Sequence, residues 1–237
     1  MPNNVTDLLE RPVYGMAQVN RVLGLKSGTA QRWIDGYQRG GKWYPPVIRI
    51  DPTGDDIVTW GEFVETRLLA EYRKAGLKVF HMRAVIERLR DRFQTRYPLA
   101  YARPYTTIEG HEFLLQIQEE AHLESEICFV VARNDQIVLR EPAKRFWDST
   151  ETEGESEDEF VVRVRPMPRT SPEVLIDPLH QFGEPSVRNV PTAIVIEQFR
   201  SGESIGGIAD QFDLKESQVQ AALRYEIAMA GPTEAAA

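Results

Sequence analysis

Between Tyr14 and Tyr37 two stretches of helical periodicity are separated only by Gly24-Leu25-Lys26-Ser27. The first, Tyr14 to Leu23, places Met16, Val19 and Leu23 on one face, and Gly24 stops it. The second, Gly28 to Tyr37, spaces Ala30, Trp33, Ile34 and Tyr37 three or four apart, with Ser27 as its expected N-cap. Two short helices joined by so tight a turn read as a helix-turn-helix. The Gly40-Gly41 pair breaks the second helix. Val47-Ile48-Arg49-Ile50, a turn at Pro52-Thr53-Gly54-Asp55 and Ile57-Val58-Thr59-Trp60 then read as a β-hairpin, the wing. Small polar and basic side chains at the leading end of the second helix are what base edges and phosphates require. Lys26, Ser27, Thr29, Gln31 and Arg32 stand there, Arg39 and Lys42 lie between helix and wing, and Arg49 lies on the wing. These eight are the candidate DNA-binding residues. A plain helical hairpin with a solvated polar face is the alternative.

Charge decides between the two. The chain of 237 residues carries a net −8, which is the wrong sign for a nucleic-acid binder. Residues 1–103, however, hold 17 Lys and Arg against 11 Asp and Glu, a net of +6. Residues 104–237 hold 11 against 25, a net of −14. A basic half and an acidic half point to two different partners, and only the first has the sign that phosphate contact needs.

The rest of the chain reads as α+β. Two amphipathic helices follow the wing: Glu62 to Lys74, stopped by Gly76, and Phe80 to Arg96, whose outer face carries Arg83, Arg88, Arg90 and Arg92. Pro98 marks a boundary. From there to Gly183 a β-rich segment is expected, with either a hairpin around Glu109-Gly110 or a helix over Phe113 to Ala121. Ile127–Ala132 and Ile137–Leu139 flank the turn residues Asn134-Asp135-Gln136. Asp148 to Glu159 holds seven acidic residues and no basic ones, so it reads as an exposed loop. Three more helices are expected at the end, one capped by Thr192, one opened by Ser204, and one after a capping box at Asp213 and Glu216. The expected domains are a winged helix over 1–97, a β-rich middle over 98–183, a trihelical domain over 184–230 and a frayed tail over 231–237.

Several function classes are weak. The longest apolar run, Ile127 to Ala132, is far short of the ~20 residues that span a bilayer, so no membrane partner is expected. The first residues lack the basic and apolar regions of a signal peptide, and Cys128 has no second cysteine to pair with, so a cytoplasmic address is expected. Cys128 lies in an apolar pattern and reads as a small core hydrophobe. His111, Glu112, Glu119, Glu120 and His122 are the best metal guess, if helical, and exposed polar positions otherwise. No catalytic, cofactor or metal site is expected. Residues 184–230 carry a net −3, which favours protein contact over DNA there.

Tyr14-Gly15-Met16-Ala17-Gln18-Val19 through Thr29-Ala30-Gln31-Arg32-Trp33-Ile34 resembles the winged helix-turn-helix of MerR-type regulators. Trp60-Gly61-Glu62-Phe63-Val64-Glu65 with Ala75-Gly76-Leu77-Lys78 is similar to the helix pair after their wing. That family often has arginine where Gln31 stands, and the chain lacks its long dimerisation coiled coil. At the other end Ile176-Asp177-Pro178, Phe182-Gly183-Glu184-Pro185, Val190-Pro191-Thr192, Gly202-Glu203-Ser204 and Ala221-Ala222-Leu223-Arg224-Tyr225-Glu226 resemble a small helical domain found in antitoxins. Head and tail together resemble VapB-type antitoxins of type II toxin–antitoxin pairs. The resemblance implies a PIN-domain ribonuclease toxin as partner, operator DNA as ligand and repression of the chain's own operon. Against the metal-binding carboxylates of such a toxin, Arg188 and Arg224 are the expected toxin-binding residues. A homodimer is expected, because one short recognition helix gives limited specificity. A stand-alone MerR-like repressor and a scaffold that binds no DNA are the competing readings.

Overall fold

The computed structural model describes residues 8–76, 78–123, 128–133, 136–155 and 158–230. The fold is α+β. Two compact units divide at Met1–Val161 and Val162–Ala237, whereas the sequence placed its boundaries after residues 97 and 183. The reason lies in the first unit's long helix. The Trp60 indole N–H donates to the Val161 carbonyl at 2.9 Å, and the Leu99 N–H donates to buried Glu65 at 3.0 Å. Residues 98–161 are therefore part of the core that the winged segment was expected to close alone.

The chain enters on β1 (Pro12–Gly15), which pairs antiparallel with β4 (Ile57–Thr59). Tyr14, expected in the first helix, is thus a strand residue. Helix α1 (Met16–Val22) and helix α2 (Thr29–Ile34) follow, both shorter than their apolar patterns. Gly28, in the left-handed region at φ 73°, precedes α2 in place of a Ser27 cap. The wing also differs. The hairpin is β2 (Tyr37–Arg39) with β3 (Lys42–Tyr44), turning at Gly40 and Gly41, both at positive φ as a type I′ turn demands. Those glycines therefore form a turn. The segment expected as a strand at Val47–Ile50 instead folds back on α2: the N–H groups of Val47 and Ile48 donate to the Trp33 carbonyl. Gly36 permits this return, because a Cβ there would stand 2.7 Å from the Tyr44 carbonyl oxygen and 2.9 Å from the Trp43 ring.

Helix α3 (Trp60–Lys74) starts two residues earlier than expected, with Thr59 and Glu62 closing a capping box. It is buried on every side from Trp60 to Tyr72, not along one stripe. Its acids are matched from other elements. Glu62 meets Arg49, Glu65 lies 3.6 Å from Arg90, and Glu71 takes Arg67 from its own helix and Arg145 at 3.1 Å. Helix α4 (Arg83–Phe93) follows a 3-10 turn, and its arginines are largely spoken for. Arg83 binds the Pro46 carbonyl, Arg88 pairs with Glu120, Arg92 with Glu109, and Arg90 is buried rather than on the outer face.

The middle segment is more helical than its sequence suggested: α5 (Arg103–Thr106), α6 (Ile108–Glu120) and α7 (Glu141–Trp147) dominate it. The helix alternative around residue 113 is the one adopted, capped by Thr107. The strands are β5 (Val130–Arg133) paired with β6 (Gln136–Leu139), then β7 (Thr150–Glu153) and β8 (Phe160–Val164). Part of the acidic stretch is therefore strand. Ser156 and Glu157, the turn residues Asn134 and Asp135, Ile127, Leu77 and the tail at 231–237 lie outside the described residues. Cys128 is buried, and its carbonyl accepts from the Tyr72 hydroxyl at 3.0 Å.

The second unit carries the expected three helices, α8 (Thr192–Arg200), α9 (Ile205–Phe212) and α10 (Glu216–Ala230), together with a three-stranded sheet. Strands β9 (Val174–Leu175), β10 (Ser186–Val187) and β11 (Val190–Pro191) are antiparallel, with β10 central. Val174 and Val187 join Val195, Ile208, Val219 and Ala222 in one core. Ser204 caps α9 as expected, through the Gly207 N–H. Asp213, in the left-handed region, ends α9 and does not cap α10. Gln218 instead reaches back to the Lys215 N–H at 2.9 Å.

Glu65 makes the first unit pH-dependent. It is fully buried, Oε2 has no hydrogen-bond partner, and burial pushes the carboxyl up to about 7 against the pull of Arg90 and the Leu99 N–H. Unfolded, it loses its proton near 4.5; folded, it keeps it until about 7. Stability from the neutral acid is present below 4.5 and lost as the pH rises to 7, on the order of 3 kcal/mol. Denaturant unfolding of Glu65→Gln across pH 4–8 should lack that decline, and parallel curves for the two proteins would refute it.

Candidate nucleic-acid interface

The helix-turn-helix is held by one asparagine. Asn20, buried near the end of α1, donates from Nδ2 to the Met16 carbonyl and accepts the Ala30 N–H at Oδ1, each at 2.9 Å. One side chain thus fixes the start of α2 against α1. Gly24, at φ 62°, turns the chain between them.

The eight candidate residues divide into two groups. Lys26, Ser27, Arg32, Arg39 and Lys42 are exposed and Gln31 is half-buried, so all six are accessible from solvent. Thr29 and Arg49 are not. Thr29 is buried, and its Oγ1 accepts from Arg32 Nη2 at 3.3 Å, so it positions an arginine and does not reach outward. Arg49 is 6% exposed and spends its donors inward. Nε donates to Glu62 Oε1 at 2.8 Å, Nη1 to Asp35 Oδ1 at 2.7 Å and Thr53 Oγ1 at 2.5 Å, and Nη2 to the Ile57 carbonyl at 2.6 Å. Asp35 also accepts the Thr53 and Gly54 N–H groups. Burial raises the Asp35 carboxyl, but these hydrogen bonds and Arg49 outweigh it and hold it below the usual range. Arg49 is a clamp between the end of α2 and the start of α3, and phosphate contact is not open to it.

Two residues outside the eight candidates complete the basic face. Arg73, near the end of α3, and Lys78 line a cleft of about 250 Å³ together with Arg32 and Arg39. Trp33, Tyr37 and Phe80 line it too. Tyr37 stacks on Tyr44 with ring centroids 4.7 Å apart, and Lys42 Nζ lies 5.4 Å from the Tyr44 ring, which braces the hairpin. Among the described residues Arg39, Arg73 and Lys78 have no carboxylate partner, and the Arg32 guanidinium bonds only to Thr29. Elsewhere in the unit Arg49, Arg67, Arg83, Arg88, Arg92 and Arg145 are matched to acids. Lysine and arginine left unmatched around one cleft form a site for anions, and aromatic walls add stacking area. Nothing in the spacing of Arg73 and Lys78 tied them to α2; the fold did.

Arg188 and Arg224, in the second unit, each bind a backbone carbonyl there: Arg188 that of Asp213, Arg224 that of Thr170 at 2.9 Å. No group of three His, Cys, Asp or Glu that could hold a metal occurs among the described residues. In the metal guess, His111 faces the Tyr105 carbonyl at 2.8 Å and Glu120 pairs with Arg88.

The Arg49 clamp sets a measurable expectation. Arg49→Met leaves Asp35 and Glu62 as buried carboxylates without their cation, which should cost about 3–5 kcal/mol in urea unfolding. A loss below about 1 kcal/mol, the range of an exposed ion pair, would refute the clamp.

Comparison with known proteins follows this geometry. Residues 174–225, the sheet and most of the helices of the second unit, match the family model described as "Protein of unknown function (DUF433)". The crystal structure of Rv2018 from Mycobacterium tuberculosis shares the fold, with a TM-score of 0.68 at 20% identity over 90% of this chain and 97% of that one. The uncharacterized protein Rv2308 of Mycobacterium tuberculosis is 38% identical over 226 residues, 94% of this chain and 93% of its own length. At that identity and coverage, the chain belongs to the same family as Rv2308.

Proposed function

We propose that this protein is a DNA-binding regulator whose first unit grips duplex DNA through α2, the β2–β3 hairpin and the end of α3. The observation that carries the reading is the convergence of Arg32, Arg39, Arg73 and Lys78 on one cleft, without carboxylate partners among the described residues. Lys26, before α2, and Lys42, on β3, are exposed and add to the positive charge of those elements. Such a face attracts phosphates in any sequence, and the half-exposed Gln31 at the recognition helix supplies an amide for a base edge. A homodimer doubles the reach of one short helix over two half-sites.

The reading extends to an antitoxin, with the second unit contacting a ribonuclease of the PIN type. The resemblance of the chain's two ends supports this, and so does a set of exposed apolar side chains in that unit. Leu179 is 58% exposed and Phe182 88%, with Phe182 in the left-handed region at φ 54°. Ile194, Phe199 and Ile227 are exposed as well. A phenylalanine in solvent on a strained backbone is costly unless something covers it. These positions are a candidate partner surface in addition to Arg188 and Arg224, which are exposed and each bond one backbone carbonyl.

Fluorescence anisotropy of the full chain on duplex DNA from upstream of its own gene, titrated with salt, tests the DNA reading. Binding should weaken steeply with salt. Arg73→Ala and Lys78→Ala should each lower the slope of log affinity against log salt by about 1. Arg32→Ala should cost about 1–3 kcal/mol if it reads a base. Failure to bind any duplex at low salt, or slopes unchanged in both variants, would sink the reading.

A further inference from the structure

A second cleft in the first unit has different chemistry. It encloses about 300 Å³, at the small end of the ~300–1,000 Å³ range of ligand pockets. Arg96 and Arg103 supply cations, Glu10 and Asp158 carboxylates, and Phe93, Tyr97 and Tyr101 rings. Each guanidinium is backed by a ring, Arg96 at 5.3 Å from the Tyr97 centroid and Arg103 at 5.1 Å from that of Phe93, and each is held by an acid, Arg96 by Glu10 and Arg103 by Glu109 at 3.0 Å. The Asp158 carboxylate is exposed and has no partner among the described residues. Gln94, also on the wall, is held in the left-handed region at φ 49°.

We infer that this cleft binds a small aromatic zwitterion, of the class of an aromatic α-amino acid, and transmits its occupancy to α2. The balance of charge selects the ligand. A phosphate-bearing ligand would face Glu10 and Asp158, and a purely apolar one would strip water from four charges without replacing it. A carboxylate can share the ring-backed arginines with Glu10 and Glu109, an ammonium answers the unpartnered Asp158, and a ring lies among Phe93, Tyr97 and Tyr101.

Transmission follows a chain of bonds. Glu10 accepts from Arg96 Nη1 at 3.0 Å and from the Tyr97 hydroxyl at 2.8 Å. That hydroxyl accepts from Thr59 Oγ1, the N-cap of α3, at 3.0 Å. Arg96 Nη2 also lies 3.8 Å from Glu62, and Glu62 binds Arg49, which binds Asp35 at the end of α2. A ligand that competes for Glu10 or Arg96 therefore pulls on the clamp that sets α2.

Calorimetry on the full chain with L-phenylalanine, L-tyrosine and L-tryptophan tests binding, with benzoate and phenethylamine as probes that each lack one charge. At least one amino acid should give saturable heat, and both truncated probes should bind about tenfold more weakly or worse. Arg103→Gln and Asp158→Asn should each weaken the amino acid by about tenfold, with thermal unfolding unchanged for the exposed Asp158 variant. Amide NMR shifts at Thr53 and Gly54, which donate to Asp35, should move on saturation. These readouts need no DNA, so they stand or fall apart from the DNA reading. No saturable heat from any amino acid, equal binding of benzoate, or wild-type affinity in both variants would overturn the site; bound ligand with still amides at Thr53 and Gly54 would overturn the transmission.

Discussion

Arg49 bonded to both Asp35 and Glu62 is the interaction on which the first unit's arrangement depends. Asp35 ends α2, Glu62 lies in the first turn of α3, and the loop through Thr53, Asp55 and Ile57 wraps the same guanidinium. Three segments that share no secondary-structure ladder are fixed by one side chain with five donors. Removing such a charge from water is expensive, and here carboxylates and carbonyls replace the lost hydration almost donor for donor. The angle at which α2 is presented to the basic cleft follows from that clamp.

The same logic recurs along α3. A helix buried on all sides ordinarily reads as uniformly apolar, yet this one carries Glu62, Glu65, Arg67 and Glu71 inside. Each acid is answered by an arginine from another element: Glu62 by Arg49 from the loop before β4, Glu71 by Arg145 from α7 and Glu65 by Arg90 of α4. Directional pairs of this kind specify which element docks where, a task that apolar contact alone does loosely. Glu65 is the incomplete case, since its second oxygen lacks a hydrogen bond, and it is the group whose proton the fold retains.

That pattern gives meaning to the unmatched charges. In a unit where Arg49, Arg67, Arg83, Arg88, Arg92 and Arg145 are all paired with acids, Arg32, Arg39, Arg73 and Lys78 gather around one cleft without carboxylate partners among the described residues. The cleft at Arg96 and Arg103 differs in kind because its cations are balanced by Glu10 and Asp158. One surface suits a polyanion and the other an amphoteric molecule, and Glu62 and Arg49 lie between them in the bonding network.

The sequence by itself determined the helix pair around Gly24, the helix over 62–74, the three terminal helices and the α+β class, because apolar period and glycine placement are local properties. It also located Lys26, Arg32, Arg39 and Lys42 on an exposed face, since polar residues opposite an apolar stripe must point outward. Tertiary structure decided what lies beyond a few residues of reach. Val47–Ile50 has strand composition but gives its backbone to the end of α2, and Pro12–Gly15 takes the place beside β4 instead. Arg49 reads like its neighbours Arg39 and Lys42, and only the approach of Asp35 and Glu62 turns it inward. Arg73 and Lys78 joined the basic cleft for the same reason: charges act through distance in space, and chain spacing records that distance only within a helix or strand.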